Sequence, residues 1–337
     1  MNPNDVKAVK ALLAAPKHIV IVPHKNPDGD ALGACLALYH YLQQYGHRLC
    51  VLTPNAGPDF LSWMPASEHI MVYEALPGEG AQKIEEADII FTLDFNTLSR
   101  AEGMRDRLEA SEAVFIMIDH HRQPDTYAAY TYSDPDMGST CEMIYNFMEF
   151  LGDTGKINPA IATCLYTGIM TDSGSFRFPG TTGRTHRIIA DLIDKGARNA
   201  EIHNAVFDIN SPDKLQLLGC ALKNLVVIKA LHTSYITLSR KELMKYNYKK
   251  GDTEGFVNYG LSVEGIKLTA FFIQPPRENH IRISFRSKGD IPVNEIASVH
   301  FDGGGHTNAA GGRSFLTLEE TVEKFKEILI QYKELLV

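Results

Sequence analysis

The chain has 337 residues, of which 44% are hydrophobic and 22% are charged, and its formal net charge is −8. This length favours two domains over one, and the composition is typical of a globular protein rather than a disordered or membrane-spanning chain. The negative charge, without a long lysine and arginine run, argues against a protein that tracks along duplex nucleic acid, whereas a local pocket can still bind a small anion.

The N-terminus lacks the basic start and continuous apolar block of a secretory signal. Five cysteines are scattered without a CxxC pair, which indicates reduced thiols rather than a disulfide or zinc framework. We therefore expect a cytoplasmic protein that does not interact with a membrane.

Short apolar segments in the first half predict the strands of a covered parallel sheet, because they are rich in Val and Ile and apolar on both faces. These segments are residues 18–22, 48–53, 69–73, 87–93 and 113–118. Between the first two, ALGACLALYHYLQQYG ends at Gly46 in the manner of a helix. The alternation predicts an open, mostly parallel α/β sheet covered by helices.

Helical patterns follow. Ser139 and Glu142 have the spacing of a capping box before MIYNFMEFL. Residues 161–170 predict a buried helix that leads into the loop TDSGSFRF. The segment TTGRTHRIIADLIDKG predicts a further helix that ends near Gly196.

A change of pattern predicts a second, smaller α/β domain. Residues 198–214 are expected to link a first domain, residues 1–197, to a second, residues 215–337. The second domain offers three strands (TSYITLS, KLTAFFIQ, HIRISFRS), a helix (IPVNEIASVH), a glycine-rich loop (FDGGGHTNAAGG) and a closing amphipathic helix. We expect the active site in a cleft between the two domains.

Side chains able to bind a metal follow three of the predicted strands, at the edge where ligands collect in an open parallel sheet. They are His24, Asp28 and Asp30 after the first strand, Asp94 after the fourth, and Asp119, His120 and His121 after the fifth. Asp172, in the loop after a helix, is a further candidate. Alone, each is consistent with a turn, a cap or a surface residue; together they predict one site.

Four of these groups are aspartates, and in one cavity they would raise one another's pKa strongly unless cations lay between them. The aspartates are Asp28, Asp30, Asp94 and Asp172. Two divalent cations would neutralise them, and the imidazoles of His24 and His120 add nitrogen ligands. Such mixed ligation favours Mn²⁺, with Mg²⁺ or Co²⁺ as alternatives. Two metals about 3.5–4 Å apart are suited to hydrolysing phosphate esters.

These motifs resemble those of the DHH phosphoesterase superfamily. HKNPDGDALG, the strand end at Asp94, the run Asp119-His120-His121 and TDSGSFRF correspond in order to its first four motifs. GGGHTNAAGG is similar to the glycine-rich signature of its DHHA1 domain. The resemblance spans nearly the whole chain and shows no departure at a metal position.

The resemblance implies two metal-binding sets that share one aspartate. The first set is His24, Asp28 and Asp94, and the second is Asp30, Asp94, His120 and Asp172. It also implies that Asp119 orients its neighbours and that His121 stabilises charge on the scissile phosphate. The expected catalytic residues are therefore Asp94, Asp119 and His121.

The DHHA1 signature implies a substrate-binding role for the second domain. Gly303, Gly304 and Gly305 are expected to bring backbone N–H groups close to an anion. His306 and the strand residue Arg286 are expected to bind a second phosphate.

The compact arrangement is most similar to the nano-RNase and pAp-phosphatase group. This similarity implies hydrolysis of short oligoribonucleotides and of adenosine 3′,5′-bisphosphate (pAp), with a hydroxide between two metals as nucleophile. Alternatives are a cyclic-di-AMP or pApA phosphodiesterase, an exopolyphosphatase and, least favoured, a non-catalytic nucleotide-binding module. The expected partners are short single-stranded oligoribonucleotides or small nucleotides, not long duplexes, and a homodimer is left open.

Overall fold

The computed structural model describes residues 1–336 and divides the chain into two compact units. Unit 1 is Met1–Ile209, and unit 2 begins at Asn210, so the division falls within the segment 198–214 that was predicted to link two domains. Much of that segment is helical. No helix among the described residues is long and apolar enough to cross a membrane.

Strands and helices alternate through most of unit 1. The helices are α1 (Pro3–Leu12), α2 (Gly29–Gln43), α3 (Pro77–Glu85), α4 (Arg105–Glu109), α5 (Thr140–Phe150), α6 (Pro159–Asp172), α7 (Gly183–Asp194) and α8 (Asn199–Phe207). The strands are β1 (His18–Pro23), β2 (Arg48–Thr53), β3 (Met71–Val72), β4 (Ile89–Leu93), β5 (Val114–Asp119) and β6 (Tyr130–Ser133). They form one sheet in the order β3-β2-β1-β4-β5-β6, and every neighbouring pair is parallel.

The predicted parallel sheet is confirmed, with two differences at its edges. The third strand is shorter than predicted and includes only Met71–Val72. The sixth strand, Tyr130–Ser133, was not predicted, because it lies at an edge, is only partly buried and carries no run of Val and Ile.

The central strands are apolar on both faces because helices cover both faces. In β1, Ile19 and Ile21 pack into one hydrophobic cluster while the alternate residues Val20 and Val22 pack into another. A strand buried on both sides has no polar alternation, which explains why the run HIVIV was readable as a central strand.

Two glycines allow α2, α5 and α6 to pack very closely. A Cβ atom at Gly33 of α2 would lie 2.7 Å from the carbonyl oxygen of Cys164 in α6. A Cβ atom at Gly168 of α6 would lie 2.1 Å from Sγ of Cys141 in α5 and 3.0 Å from Oδ1 of Asp30 in α2. Larger residues at these positions would separate the helices. The glycines therefore determine how near Asp30 of α2 lies to the start of α5 and the end of α6.

The start of α5 differs in one detail from the predicted capping box. The Ser139 side chain accepts a hydrogen bond from the backbone N–H of Glu142 at 3.1 Å, as predicted. The Glu142 carboxylate instead accepts a hydrogen bond from Oγ1 of Thr185 at 2.9 Å. Glu142 therefore ties α5 to α7.

Unit 2 contains a second six-stranded sheet. Its helices are α9 (Pro212–Lys223), α10 (Arg240–Lys245), α11 (Phe256–Leu261), α12 (Val293–His300), α13 (Leu318–Gln331) and α14 (Lys333–Leu336). Its strands are β7 (Val226–Ile228), β8 (Thr233–Leu238), β9 (Leu268–Ile273), β10 (Ile281–Ser287), β11 (Gly304–His306) and β12 (Ala309–Ser314). The order is β11-β12-β10-β9-β8-β7, and only the β8–β9 pair is parallel among these strands.

The prediction of a glycine-rich loop in unit 2 was wrong in part. The segment FDGGGHTNAAGG contains an antiparallel hairpin, in which β11 pairs with β12. Glycine is a poor strand former, and the pairing of two glycine-rich strands therefore left no sequence signal.

Candidate active site

The predicted site residues of unit 1 converge at the carboxyl ends of three adjacent strands. His24 follows β1, Asp94 follows β4, and Asp119 is the last residue of β5. The strands β1 and β4 are neighbours in the sheet, although β2 and β3 lie between them in the sequence. This reversal of strand order is the point at which open α/β sheets bind ligands.

The first cluster consists of His24, Asp28 and Asp94. Nε2 of His24 lies 3.3 Å from Oδ2 of Asp94 and 4.0 Å from Oδ2 of Asp28. The other oxygen of Asp28 accepts hydrogen bonds from the backbone N–H groups of Asp30 and Ala31 and so caps α2. The turn residue Asp28 therefore caps α2 with one oxygen and faces the cluster with the other.

A backbone carbonyl sets the orientation of the His24 ring. Nδ1 lies 2.8 Å from the carbonyl oxygen of Lys25, and because a carbonyl only accepts, Nδ1 carries a hydrogen and donates it. Nε2 is the atom that faces the carboxylates. A ring held in this way presents Nε2 to a metal, and the hydrogen bond at the other nitrogen is the usual support for a histidine ligand.

The second cluster surrounds His120. Its Nε2 lies 3.3 Å from Oδ1 of Asp94, 3.6 Å from Oδ2 of Asp172 and 3.9 Å from Oδ2 of Asp30. Nδ1 of His120 donates to the carbonyl oxygen of Met137 at 3.1 Å, so this ring is oriented in the same manner as His24. Asp94 joins the two clusters, since its Oδ2 faces His24 and its Oδ1 faces His120.

Asp172 occupies a different position from the predicted one. It is the last residue of α6, whereas the sequence predicted a helix over 161–170 followed by a loop. The close packing of α6 against α2 brings Asp172 and Asp30 to the same cluster.

The charges in this site strongly perturb one another. Burial raises the pKa of Asp30 well above its usual value, and the carboxylates of Asp94 and Asp172 raise it further. Burial also opposes ionisation of Asp94, but hydrogen bonds from His120 and His24 outweigh it and hold the pKa of Asp94 well below its usual value. Burial lowers the pKa of His120, but the Asp94 carboxylate outweighs it, so this pKa is raised.

The donor set fits divalent cations. One ligand atom from each of His24, Asp28 and Asp94 lies within 4.8 Å of the others, and the same holds for Asp30, His120 and Asp172. Asp94 adjoins the second group through its Oδ1, 3.3 Å from Nε2 of His120. The anionic field that retains a proton on His120 also attracts a cation, which would compete with that proton. The clusters can therefore hold divalent metal.

His121 is held separately by Asp119. Nδ1 of His121 donates to Oδ1 of Asp119 at 2.7 Å, and the backbone N–H of His121 donates to Oδ2 at 3.0 Å. Asp119 is fully buried, whereas the His121 side chain is 15% exposed. The same Nδ1 lies 3.8 Å from Oδ1 of Asp94. Asp119 thus fixes a ring that borders both solvent and the second cluster.

Sequence reasoning missed Thr140 and Cys141 at the start of α5. Both are fully buried, and both donate hydrogen bonds to aspartates of the site. The Ser139 cap predicts that a helix begins here, but no feature of the sequence indicates that its first turn meets Asp30 and Asp94.

In unit 2, two of the predicted substrate residues share one face of the sheet. Arg286 of β10 pairs with Ala309 of β12, and Ala309 pairs with His306 of β11. Residues paired in register point to the same face, and two strand spacings separate Arg286 from His306 by about 10 Å. The register of the sheet thus brings Arg286 and His306 to one face, two strands apart.

Two glycines at the start of the β11–β12 hairpin, Gly303 just before β11 and Gly305 within it, have a packing role that the sequence did not predict. A Cβ atom at Gly303 would lie 2.0 Å from the carbonyl oxygen of Gly311, and one at Gly305 would lie 2.5 Å from that of Ala309. The N–H group of Gly303 already donates to the carbonyl oxygen of Ala297 at 3.1 Å. The hairpin alone therefore requires glycine at 303 and 305.

Comparisons with known proteins agree with the motifs. The model of the DHH family, N-terminal domain, matches residues 18–169, and that of the DHHA1 domain matches residues 229–335. A protein named bifunctional oligoribonuclease and PAP phosphatase NrnA, from Thermus thermophilus, is 29% identical over 94% of this chain and 91% of its own length. The cyclic-di-AMP phosphodiesterase GdpP of Bacillus subtilis is 25% identical over 97% of this chain but 50% of its own length.

A solved structure shows the same architecture throughout. The crystal structure of an exopolyphosphatase-related protein from Bacteroides fragilis is 38% identical, has a TM-score of 0.96 and matches 99% of this chain and 98% of that chain. The family predicted from the motifs is confirmed. This chain belongs to the DHH family of phosphoesterases and carries a DHHA1 domain in its C-terminal part.

Proposed function

We propose that the protein hydrolyses short oligoribonucleotides and pAp with two divalent cations, Mn²⁺ being the preferred ion. The observation that carries this proposal is the arrangement of Asp94, whose two oxygens face His24 and His120 at 3.3 Å each. A single carboxylate between two imidazole-containing clusters is suited to holding a pair of metals. The name of the NrnA relative supports the substrate class.

The two cations would be held by the clusters already described. His24, Asp28 and Asp94 would hold one, and Asp30, Asp94, His120 and Asp172 would hold the other. Bound divalent cations would lower the pKa of a water molecule and neutralise charge on the phosphoryl oxygens.

The protein's own residues would supply orientation and charge stabilisation. Nδ1 of His121 donates to the Asp119 carboxylate in their 2.7 Å hydrogen bond, which fixes the ring, and we assign its Nε2 edge to the phosphate. A protonated ring there would donate to an oxygen on which negative charge develops. His121 is thus proposed as the catalytic residue that contacts substrate, and Asp119 as the residue that orients it.

Arg286 and His306 are proposed to bind a phosphate of the substrate. A guanidinium forms two parallel hydrogen bonds with a phosphate more readily than an ammonium does. The substrate pAp has two phosphates, so one can be hydrolysed while the other is held. Inorganic polyphosphate has phosphates but no base. Hydrolysis of polyphosphate as fast as that of pAp would therefore count against a nucleotide as the substrate.

A hydrolysis panel with Mn²⁺ tests the proposal. The substrates are pAp, a five-nucleotide RNA, pApA, cyclic di-AMP, pyrophosphate and polyphosphate, with EDTA-treated protein as the control. We expect turnover of pAp and the short RNA, lost in EDTA and restored by Mn²⁺. Turnover confined to pyrophosphate or polyphosphate would overturn the nucleotide assignment.

The cyclic-di-AMP phosphodiesterase GdpP supports a second candidate, since its match extends along 97% of this chain. On that reading the substrates are cyclic di-AMP or pApA. Activity confined to these two compounds in the same panel would favour it over the first.

A further inference from the structure

We propose that Thr140 is a positioning residue that fixes Asp30 and Asp94 relative to each other. The inference rests on the proposed two-cation site and assigns a role to a residue outside both donor clusters. Its basis is the first turn of α5, which contacts the two carboxylates directly.

Three hydrogen bonds link this turn to the aspartates. The backbone N–H of Thr140 donates to Oδ2 of Asp30 at 2.6 Å, and the backbone N–H of Cys141 donates to Oδ1 of Asp30 at 2.8 Å. Oγ1 of Thr140 donates to Oδ1 of Asp94 at 2.8 Å. Thr140 therefore bonds to both aspartates, one through its backbone and one through its side chain.

The direction of each bond leaves the carboxylates usable as ligands. A carboxylate oxygen accepts through more than one lone pair. A hydrogen bond from α5 therefore fixes the orientation of the carboxylate and still leaves a lone pair for a cation. The same two oxygens, Oδ2 of Asp30 and Oδ1 of Asp94, lie 3.9 Å and 3.3 Å from Nε2 of His120. Thr140 thus restrains the oxygens that face the histidine of the second cluster.

The turn that makes these bonds is itself held in place. Sγ of Cys141 lies 3.4 Å from the carbonyl oxygen of Asp30 and fills the space left by the missing side chain of Gly168. Thr140, Cys141 and both aspartates are at most 2% exposed. Water cannot replace a lost donor without a rearrangement, so the Thr140 hydroxyl has no ready substitute.

The test compares Thr140→Val with Thr140→Ser in the full-length protein. Valine has nearly the shape of threonine and keeps both backbone donors to Asp30, so it removes only the bond to Asp94. We expect the dissociation constant for Mn²⁺ to rise by about 10–100-fold in Thr140→Val, which is the range for residues that support metal ligands. Thr140→Ser keeps the hydroxyl and should restore most of the affinity.

Mn²⁺ binding is measured from the electron paramagnetic resonance signal of free Mn²⁺, so the readout does not depend on turnover. Thr321→Val is a matched control, since Thr321 is also fully buried and donates to Oγ of Ser314 at 2.8 Å in unit 2. It should lower the melting temperature without changing Mn²⁺ affinity. If Thr140→Val does not fold, Thr140→Ala takes its place.

Wild-type affinity for Mn²⁺ in folded Thr140→Val would overturn the inference. An equal loss of Mn²⁺ affinity in Thr140→Ser would also overturn it, because the effect would then come from packing and not from the hydroxyl. A wild-type protein that binds no Mn²⁺ would overturn the proposed function itself. The two failures are therefore distinguishable.

Discussion

Replacing Asp94 by asparagine should remove one bound cation rather than two. Oδ1 of Asp94 accepts a hydrogen bond from the Thr140 hydroxyl. Because an amide oxygen also accepts, the oxygen of the asparagine is expected at that position. The amide nitrogen then takes the place of Oδ2, which lies 3.3 Å from Nε2 of His24. There it would donate to Nε2 and block the first cluster, while an oxygen would still face His120.

The size of the effect follows from the charge that is lost. Two unit charges about 4 Å apart interact by about 4 kcal/mol at an effective dielectric constant of about 20, a value that applies to buried sites in proteins as well. Removing one carboxylate from the first cluster should therefore weaken cation binding there by at least about 10³-fold. The second cluster keeps Asp30 and Asp172 and should lose less.

The assay is a titration of Asp94→Asn with Mn²⁺, followed by its turnover of pAp. We expect two bound Mn²⁺ per wild-type chain, one per variant chain, and a turnover number reduced by at least about 10³-fold. Asp106→Asn, at an exposed position, serves as a control that should leave both values unchanged. Two Mn²⁺ bound with wild-type affinity, or turnover within tenfold of the wild type, would refute the shared-ligand assignment.

Three further variants test separate parts of the site. His121→Ala should keep two Mn²⁺ but reduce kcat by about 10²–10³-fold, the usual cost of losing one charge-stabilising donor; loss of metal instead would make His121 a ligand. Arg286→Ala should raise KM for pAp by about tenfold or more with little change in kcat, and an unchanged KM would remove Arg286 from the substrate site. Gly168→Ala should lower the free energy of unfolding by about 1–3 kcal/mol through overpacking against Cys141, as measured by urea denaturation. Part of that loss should be recovered in Gly168→Ala/Cys141→Ala, and strict additivity of the two substitutions would contradict the proposed clash.

The sequence predicted the sheet of unit 1 well because its central strands are buried on both faces. Burial on both faces produces runs such as HIVIV, and the polar residues that follow mark the strand ends. The candidate metal residues that follow strands could therefore be located from their position in the sequence. The edge strand β6 has no such run, and it was missed.

Contacts made by helix ends were not predictable in the same way. The sequence indicates where α5 begins, but its contact with Asp30 depends on the packing of α5 against α2 and α6. The same packing explains why Asp172 at the end of α6 reaches the site. The hairpin of β11 and β12 was missed for another reason, since glycine-rich strands have no hydrophobic alternation to detect.

The order of strands in unit 1 has a consequence for how the site is assembled during synthesis. β1 lies between β2 and β4, and the proposed cation donors extend from His24 to Asp172 at the end of α6. At a synthesis rate of about 5–20 residues per second, the last donor is added roughly 7–30 s after the first. The cluster cannot form before α6 has left the ribosome and packed against α2. We therefore expect the nascent chain to acquire its cations only after unit 1 has folded, when their binding adds to the free energy of unfolding.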